Sequence, residues 1–285
     1  SDRSARTRAP GDTRGVQRTC SGIVADHPAM DQLFYELHEG LPQQGPGSRD
    51  STRLALSLLQ RHRSGLATEP LAVLDIGCGP GRQTLDLLRA LPAAWVTATD
   101  TWDLALDQLK AGAAAESGLE ERLQVHNADM TALPFADGAF DLIWSEGAIY
   151  IMGFAEGLAA WRRLLRPGGM MAVTEISWTV TDPPEEARRF WEAEYPGIGS
   201  VQTNLQRMET AGYQALGAFV LPPSDWWAYY EPLSANARAF SARHAGDETA
   251  AQVLSMEQAE VDLYAAHGWS YSYVFYLGCL SESGR

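Results

Sequence analysis

Four acids stand where strand patterns end, and one of them opens a row of glycines. Asp75 closes the apolar run Val73-Leu74 and is followed by Gly77, Gly79 and Gly81 at every second position, with a helical pattern from Gln83 onward. That order reads as a buried strand, a tight turn and a helix start. Glycine there lets the main chain approach a ligand and take up positive φ. The spacing separates ligand classes. Dinucleotide sites use G-x-G-x-x-G and set a pyrophosphate on the helix N-terminus. Here an acid precedes the first glycine and repels phosphate, so a cationic or zwitterionic ligand fits and an NAD-dependent oxidoreductase is disfavoured. Asp100 ends the next strand pattern, Thr97-Ala98-Thr99, where an acid accepts the hydroxyl pair of a ribose. Asp129 and Met130 follow the third, and Ser145-Glu146 the fourth.

The elements that must hold these residues alternate. Strands are predicted at 71–76, 94–99, 122–127, 140–145, 169–176, 215–221 and 271–280. Helices are predicted near 26–40, 50–62, 81–91, 103–116, 154–165, 204–211, 224–242 and 246–266, with Asp50 able to cap the second. Such alternation predicts an α/β fold with a mostly parallel sheet and helices on both faces. The segment 1–22 mixes Arg3, Arg6, Arg8, Arg14 and Arg18 with Gly, Pro, Ser and Thr and no apolar period, and reads as a disordered arm. We divide the rest into a helical N-terminal cap (23–70), a ligand-binding core (71–177), an insertion over the substrate side (178–203) and a C-terminal part (204–285) that carries a second helical cap.

Bulk properties exclude several classes. A net charge of −14 argues against nucleic-acid partners, which need a basic track. No apolar run approaches the roughly 18 residues of a membrane span. Three cysteines without a CxxC pair fit a reducing cytoplasm. His27, His38, His62, His126, His244 and His267 show no ligand spacing, so no metal is expected. Nine tryptophans point to aromatic walls as well as a core.

Taken in order, Asp75 to Gly81, Asp100, the run Leu133-Pro134-Phe135 to Phe140-Asp141-Leu142-Ile143-Trp144, and Leu165-Arg166-Pro167-Gly168-Gly169 resemble the class I S-adenosylmethionine (SAM) methyltransferases. Within them, the chain is similar to the small-molecule group that includes quinone-biosynthesis enzymes. The segments from Gln44 to Ser48, Gly81 to Thr84, Ser145 to Tyr150, and Tyr273 to Gly278, with Tyr195-Pro196, resemble one bacterial subgroup. There is also similarity to C-methyltransferases of hydroxylated aromatic amino acids such as 3-hydroxykynurenine.

The resemblance implies a Rossmann-like sheet of seven strands whose last strand is antiparallel and inserted beside the fifth. It implies SAM as methyl donor, S-adenosylhomocysteine (SAH) as product, and no metal. Tyr35, Gln44, Gly45, Asp75, Gly77, Gly79, Gly81, Thr84, Asp100, Thr101, Asp129, Met130 and Ser145 are then the expected cofactor contacts. Asp100 takes the ribose, Asp129 the adenine amino group and Met130 the ring face. Arg82 is either a donor to the SAM carboxylate or a solvated surface residue. Asp141 and the Arg166–Gly169 turn are structural. Glu146, with Tyr150, is the candidate catalytic residue. A carboxylate there can bind an amine, deprotonate a phenol or stabilise charge on a ring carbon, or else hold the SAM amino group or anchor a loop. Trp178, Trp191, Tyr195, Trp226 and Tyr230 form the expected substrate wall for a flat, aromatic small molecule. The resulting expectation is a monomeric or homodimeric small-molecule methyltransferase, with a non-catalytic SAM-binding protein as the rival.

Overall fold

The computed structural model describes residues 28–281 together with Arg18–Thr19 and Gly22–Ile23, two short strands that pair antiparallel. Apart from those strands, the arm expected over 1–22 lies outside the described residues.

The sheet is built from β1 (Ala72–Ile76), β2 (Trp95–Asp100), β3 (Leu123–Asn127), β4 (Phe140–Ser145), β5 (Leu165–Trp178), β6 (Tyr213–Val220) and β7 (Tyr271–Leu280). They lie in the order β3-β2-β1-β4-β5-β7-β6. The first five are mutually parallel, and β7 sits antiparallel between β5 and β6. An eighth strand of two residues, Gly199–Ser200, pairs parallel with the end of β5. The chain leaves β1 toward β2 and β3, then returns to its other side for β4. Ligands of open α/β sheets bind where the order reverses in this way, outside the carboxyl ends of the strands.

Helices α1 (Pro28–His38), α2 (Arg49–His62), α3 (Arg82–Ala90), α4 (Asp103–Ala114), α5 (Phe154–Trp161), α6 (Glu185–Glu194), α7 (Val201–Thr210), α8 (Pro223–Arg243) and α9 (Glu248–His267) cover the sheet. Local chemistry sets their starts. Ser48, rather than Asp50, caps α2, its Oγ accepting from the Ser51 N–H at 3.2 Å. Asp247 caps α9 through the N–H groups of Thr249 and Ala250. Helix α6 is absent from the predicted elements, yet it has a clear signature: Pro184 at its N-cap, Glu185 and Glu186 in its first turn, and Ala187 and Trp191 buried four apart.

One core fills each face of the sheet. Alternation along β7 sends Tyr271, Tyr273 and Phe275 to one core, and Val274 and Tyr276 to the other. The Arg166–Gly169 segment differs from the predicted turn. Pairing of β5 with β4 begins at Leu165, and the register shifts between Phe140 and Leu142. Asp141 holds this irregularity: its carboxylate accepts from Arg166 Nη1 at 2.9 and 3.0 Å and from the Ala72 N–H at 2.8 Å.

Candidate functional site

The turn after β1 is fastened from below. Asp75 is fully buried, and Thr84 in the first turn of α3 donates to its Oδ2 at 2.5 Å. Its Oδ1 is buried without a hydrogen-bond partner. Burial pushes the Asp75 carboxyl up to about 7; donation from Thr84 opposes the rise and the charge of Glu146 adds to it. The N–H groups of Gly77 and Cys78 both donate to Thr99 O at the end of β2, at 2.8 and 3.0 Å. The glycines do different jobs. Gly77 has φ +70, and a Cβ there would stand 2.4 Å from Ala148 Cβ; at Gly81, φ +92, it would stand 2.3 Å from Leu109. These two absent side chains let protein pack on protein. At Gly79 the nearest neighbour to an added Cβ is Gln44 Cγ at 3.5 Å, so this turn faces the loop before α2.

Asp100 organises the neighbouring strand end. Its Oδ2 accepts from Gly79 N–H at 2.8 Å, and its Oδ1 from the N–H groups of Thr101 and Trp102 at 2.8 and 3.0 Å. Burial raises its pKa against these three bonds. Tyr35 of α1 lies over this corner with its ring 4.9 Å from that of Trp102, and its phenol is pushed up to about 12 by burial and by the charges of Asp100 and Asp31. Asp129 is exposed and caps its own turn through the N–H and hydroxyl of Thr131, both at 2.8 Å. Met130 reaches toward Gly77, its Cε 3.6 Å from the added-Cβ position there. Ser145 spends its proton on Ile76 O at 2.8 Å.

Glu146 is engaged on both oxygens. Oε1 accepts from Trp144 Nε1 at 2.8 Å and Thr52 Oγ1 at 3.0 Å, while Oε2 is ion-paired with Arg82. Arg82 is therefore not a solvated residue; its side chain is 16% exposed and also meets Asp86 at 3.6 Å. The loop between α1 and α2 lies on this pair, since a Cβ at Gly47 would stand 2.9 Å from both Arg82 Nη2 and Glu146 Oε2. Gln43 Nε2 holds the loop together through Gly45 O and Gly47 O at 2.9 and 3.0 Å, and Gln44 Nε2 reaches His38 O at 3.2 Å. Gly47 N–H donates to Asp225 O of α8 at 3.3 Å, and Ser51 Oγ to Asp225 Oδ2 at 2.6 Å. Gln43, Thr52 and Asp225 were not among the sequence-predicted site residues. Only Gln43 left a trace, as a polar residue beside a Gly- and Pro-rich loop.

Residues 73–169, which carry this arrangement from Asp75 to Glu146, match the family model described as a methyltransferase domain. Around it, the chain is 33% identical over 153 residues to malonyl-[acyl-carrier protein] O-methyltransferase of Pseudescherichia vulneris, covering 50% of this chain and 55% of the relative. It is 35% identical over 136 residues to demethylmenaquinone methyltransferase of Mycolicibacterium gilvum, covering 45% and 55%. The chain thus spans about half the length of these curated relatives. In fold it is similar to a solved SAM-dependent methyltransferase from Geobacter sulfurreducens in complex with S-adenosyl-L-homocysteine. That likeness has a TM-score of 0.73 at 21% identity, over 87% of this chain and 97% of the other. Among the described residues, no helix is long and apolar enough to cross a membrane.

Beyond the carboxyl edge of the sheet, the expected aromatic wall divides in two. Tyr150 and Tyr195 meet edge-on with centroids 6.1 Å apart, and the Tyr195 hydroxyl accepts from Phe154 N–H at 3.3 Å. Trp178, Trp191 and Trp226 gather instead around Tyr271, at 6.3, 5.2 and 6.0 Å, with Tyr230 5.8 Å from Trp226. Trp191, Trp226 and Tyr230 are at most 2% exposed. In this conformation they are packed into the core.

Two buried acids on this side were missed. Glu175 of β5 is fully buried with neither oxygen hydrogen-bonded, and burial pushes it up to about 8. Tyr195 and Arg207 act the other way. The Tyr195 hydroxyl comes near enough to favour the charged form but stands outside hydrogen-bond geometry, which the orphaned oxygens show more directly. Glu260 of α9 is 1% exposed and likewise raised to about 8 by burial. Both left sequence signals: an acid inside the apolar run Ala172-Val173-Thr174-Glu175-Ile176, and one inside the apolar stripe Val253, Glu257, Glu260, Tyr264.

Proposed function

We propose that this protein is a SAM-dependent methyltransferase acting on a small aromatic molecule. The observation that carries the reading is the corner where Asp100 meets the Gly79 N–H beneath Tyr35, beside an α3 N-terminus without a side-chain cap. Such a corner suits a nucleoside with a zwitterionic tail. Asp100 Oδ2 retains a lone pair for a ribose hydroxyl beyond the bond it accepts. Asp129 and Met130 stand beyond β3 for the adenine edge and face, with Thr101 beside them. Asp75 Oδ1 and the buried, unpartnered Arg82 Nε are one acceptor and one donor for the ammonium and carboxylate of the tail. The cation at the turn, Arg82, is already paired with Glu146, which weakens any case for a pyrophosphate. Gln44 and Gly45 close over the turn.

When bound, SAM supplies an already activated methyl sulfonium, so the protein mainly positions, desolvates and sometimes takes a proton. Glu146, held by three donors, serves this reading best as the anchor of the loop over the cofactor, with Tyr150 and Tyr195 nearer the acceptor. The finer reading is C-methylation of a hydroxylated aromatic amino acid such as 3-hydroxykynurenine, supported by the concentration of aromatic side chains beyond β5. Calorimetric titration with SAH and with NADH tests the cofactor. SAH is expected to bind and NADH not; absence of SAH binding below millimolar would sink the reading. Incubation with labelled SAM and a metabolite extract then separates an enzyme from a SAM-binding protein without turnover.

A further inference from the structure

Three side chains from three elements end close together in polar atoms that lack a partner. They are Trp191 Nε1 of α6, Glu260 Oε2 of α9 and Tyr271 OH of β7, and none of the three residues is more than 2% exposed. Buried polar groups are almost always satisfied, so three orphans in one place call for a shared partner. The Trp191 and Tyr271 rings lie 5.2 Å apart. The Trp191 N–H favours ionisation of the Tyr271 phenol without bonding to it, and the charge of Glu260 opposes that ionisation. The other Glu260 oxygen accepts from Tyr230 OH at 2.8 Å. Trp226 and Tyr264, stacked at 4.3 Å, complete the wall, each 6.0 Å from Tyr271.

The chemistry of this cluster selects its ligand. The charges that act on Glu260 are those of Glu257 and Glu194, both acidic. Aromatic faces around a carboxylate favour an amine, through cation–π attraction and a charged hydrogen bond. The Trp191 and Tyr271 donors need an acceptor next to that amine. A carboxylate would be repelled by three acids, which leaves a hydroxyl or carbonyl oxygen. The cluster also adjoins the cofactor side: Trp226 follows Asp225, which holds the loop at Gly47 and Ser51.

We infer that Trp191, Glu260 and Tyr271 form the acceptor-specificity site, binding the amine of the methyl acceptor through Glu260 and an oxygen beside that amine through the other two. The inference rests on the methyltransferase reading. The rings touch one another in this conformation, so a ligand enters by parting the Trp226–Tyr264 stack, and tryptophan fluorescence changes as it does.

The test is calorimetry and fluorescence on the full chain, with and without SAH, using 2-amino-1-phenylethanol, 2-phenylethanol and 2-phenylethylamine as probes. The amino alcohol is expected to bind about tenfold more tightly than either probe lacking one group, as loss of one charged hydrogen bond dictates. Glu260→Gln weakens both amines about tenfold and leaves the alcohol and SAH unchanged. Trp191→Phe brings the amino alcohol down to the level of 2-phenylethylamine. In the wild type, amine binding at pH 7 releases a proton as Glu260 ionises, seen as a dependence of the heat on buffer ionisation enthalpy; this arm holds even if a variant fails to fold. Equal affinities for the three probes, no binding by 10 mM (on the order of the weakest useful fragment affinity), or no proton release overturns the inference. SAH titrated alone reports separately on the methyltransferase reading.

Discussion

Replacing Glu175 by Gln should stabilise the protein, and by an amount that grows with pH. Glu175 is fully buried, neither oxygen has a hydrogen-bond partner, and its carboxyl is raised from 4.5 to about 8. Burial raises it, while Tyr195 from the segment after α6 and Arg207 of α7 oppose the rise. A raised acid contributes stability that is fully present below its unfolded pKa and lost as pH climbs through the folded one. Between pH 5 and pH 8 the unfolded carboxyl is ionised while the folded one largely is not. At 1.36 kcal/mol per pH unit this costs the wild type about 3 kcal/mol, an upper value because water entry relaxes buried charges. Gln keeps the shape and cannot ionise. Urea denaturation with constant m should therefore show Glu175→Gln close to wild type at pH 5 and more stable by about 2–3 kcal/mol at pH 8. A difference of the same size at both pH values, or a variant less stable at pH 8, would refute the reasoning.

Further perturbations probe the cofactor side. Glu146→Gln removes the charge that holds Arg82 beneath the loop at Gly47, so SAH affinity should fall about tenfold and the loop should become protease-sensitive; unchanged SAH affinity would remove its role as anchor. Asp100→Asn should weaken SAH by about 10–100-fold, since the amide cannot accept at every position the carboxylate serves; retained affinity in calorimetry would remove the ribose assignment. Gly77→Ala places a Cβ 2.4 Å from Ala148 Cβ at φ +70, and should cost about 3 kcal/mol in denaturant titration. A cost below about 1 kcal/mol would mean the turn relaxes freely. Trp226→Ala removes a fully buried ring stacked on Tyr264, with an expected loss of about 3–5 kcal/mol; a loss near zero would show that the stack opens readily.

The residues that make local contacts were legible in the sequence, because they depend on order along the chain. Asp75, the three glycines and Thr84 lie within ten positions, and their strand, turn and helix follow from apolar runs and from glycine. The antiparallel β7 came through the family resemblance, and its alternating aromatic pattern agrees with burial on both faces. Helix α6 had its markers but stood in a segment rich in Pro and Trp that reads as irregular. What order along the chain does not encode is partnership between distant residues. Glu146 reads equally as a base, a ligand to the SAM amino group or a loop anchor until Arg82, 64 positions away, Thr52 and Trp144 are seen bonded to it. The tryptophans read as a groove until they are found packed against Tyr264 and Tyr271. Burial is a property of the closed sheet and its helical cover, and it is the largest cause that raises Asp75, Glu175 and Glu260. Sequence by itself determined where the chain turns and which strand ends carry acids. Only the tertiary structure decided which of those acids are spoken for and which are left without a partner, because desolvation and long-range pairing exist only once the layers have closed.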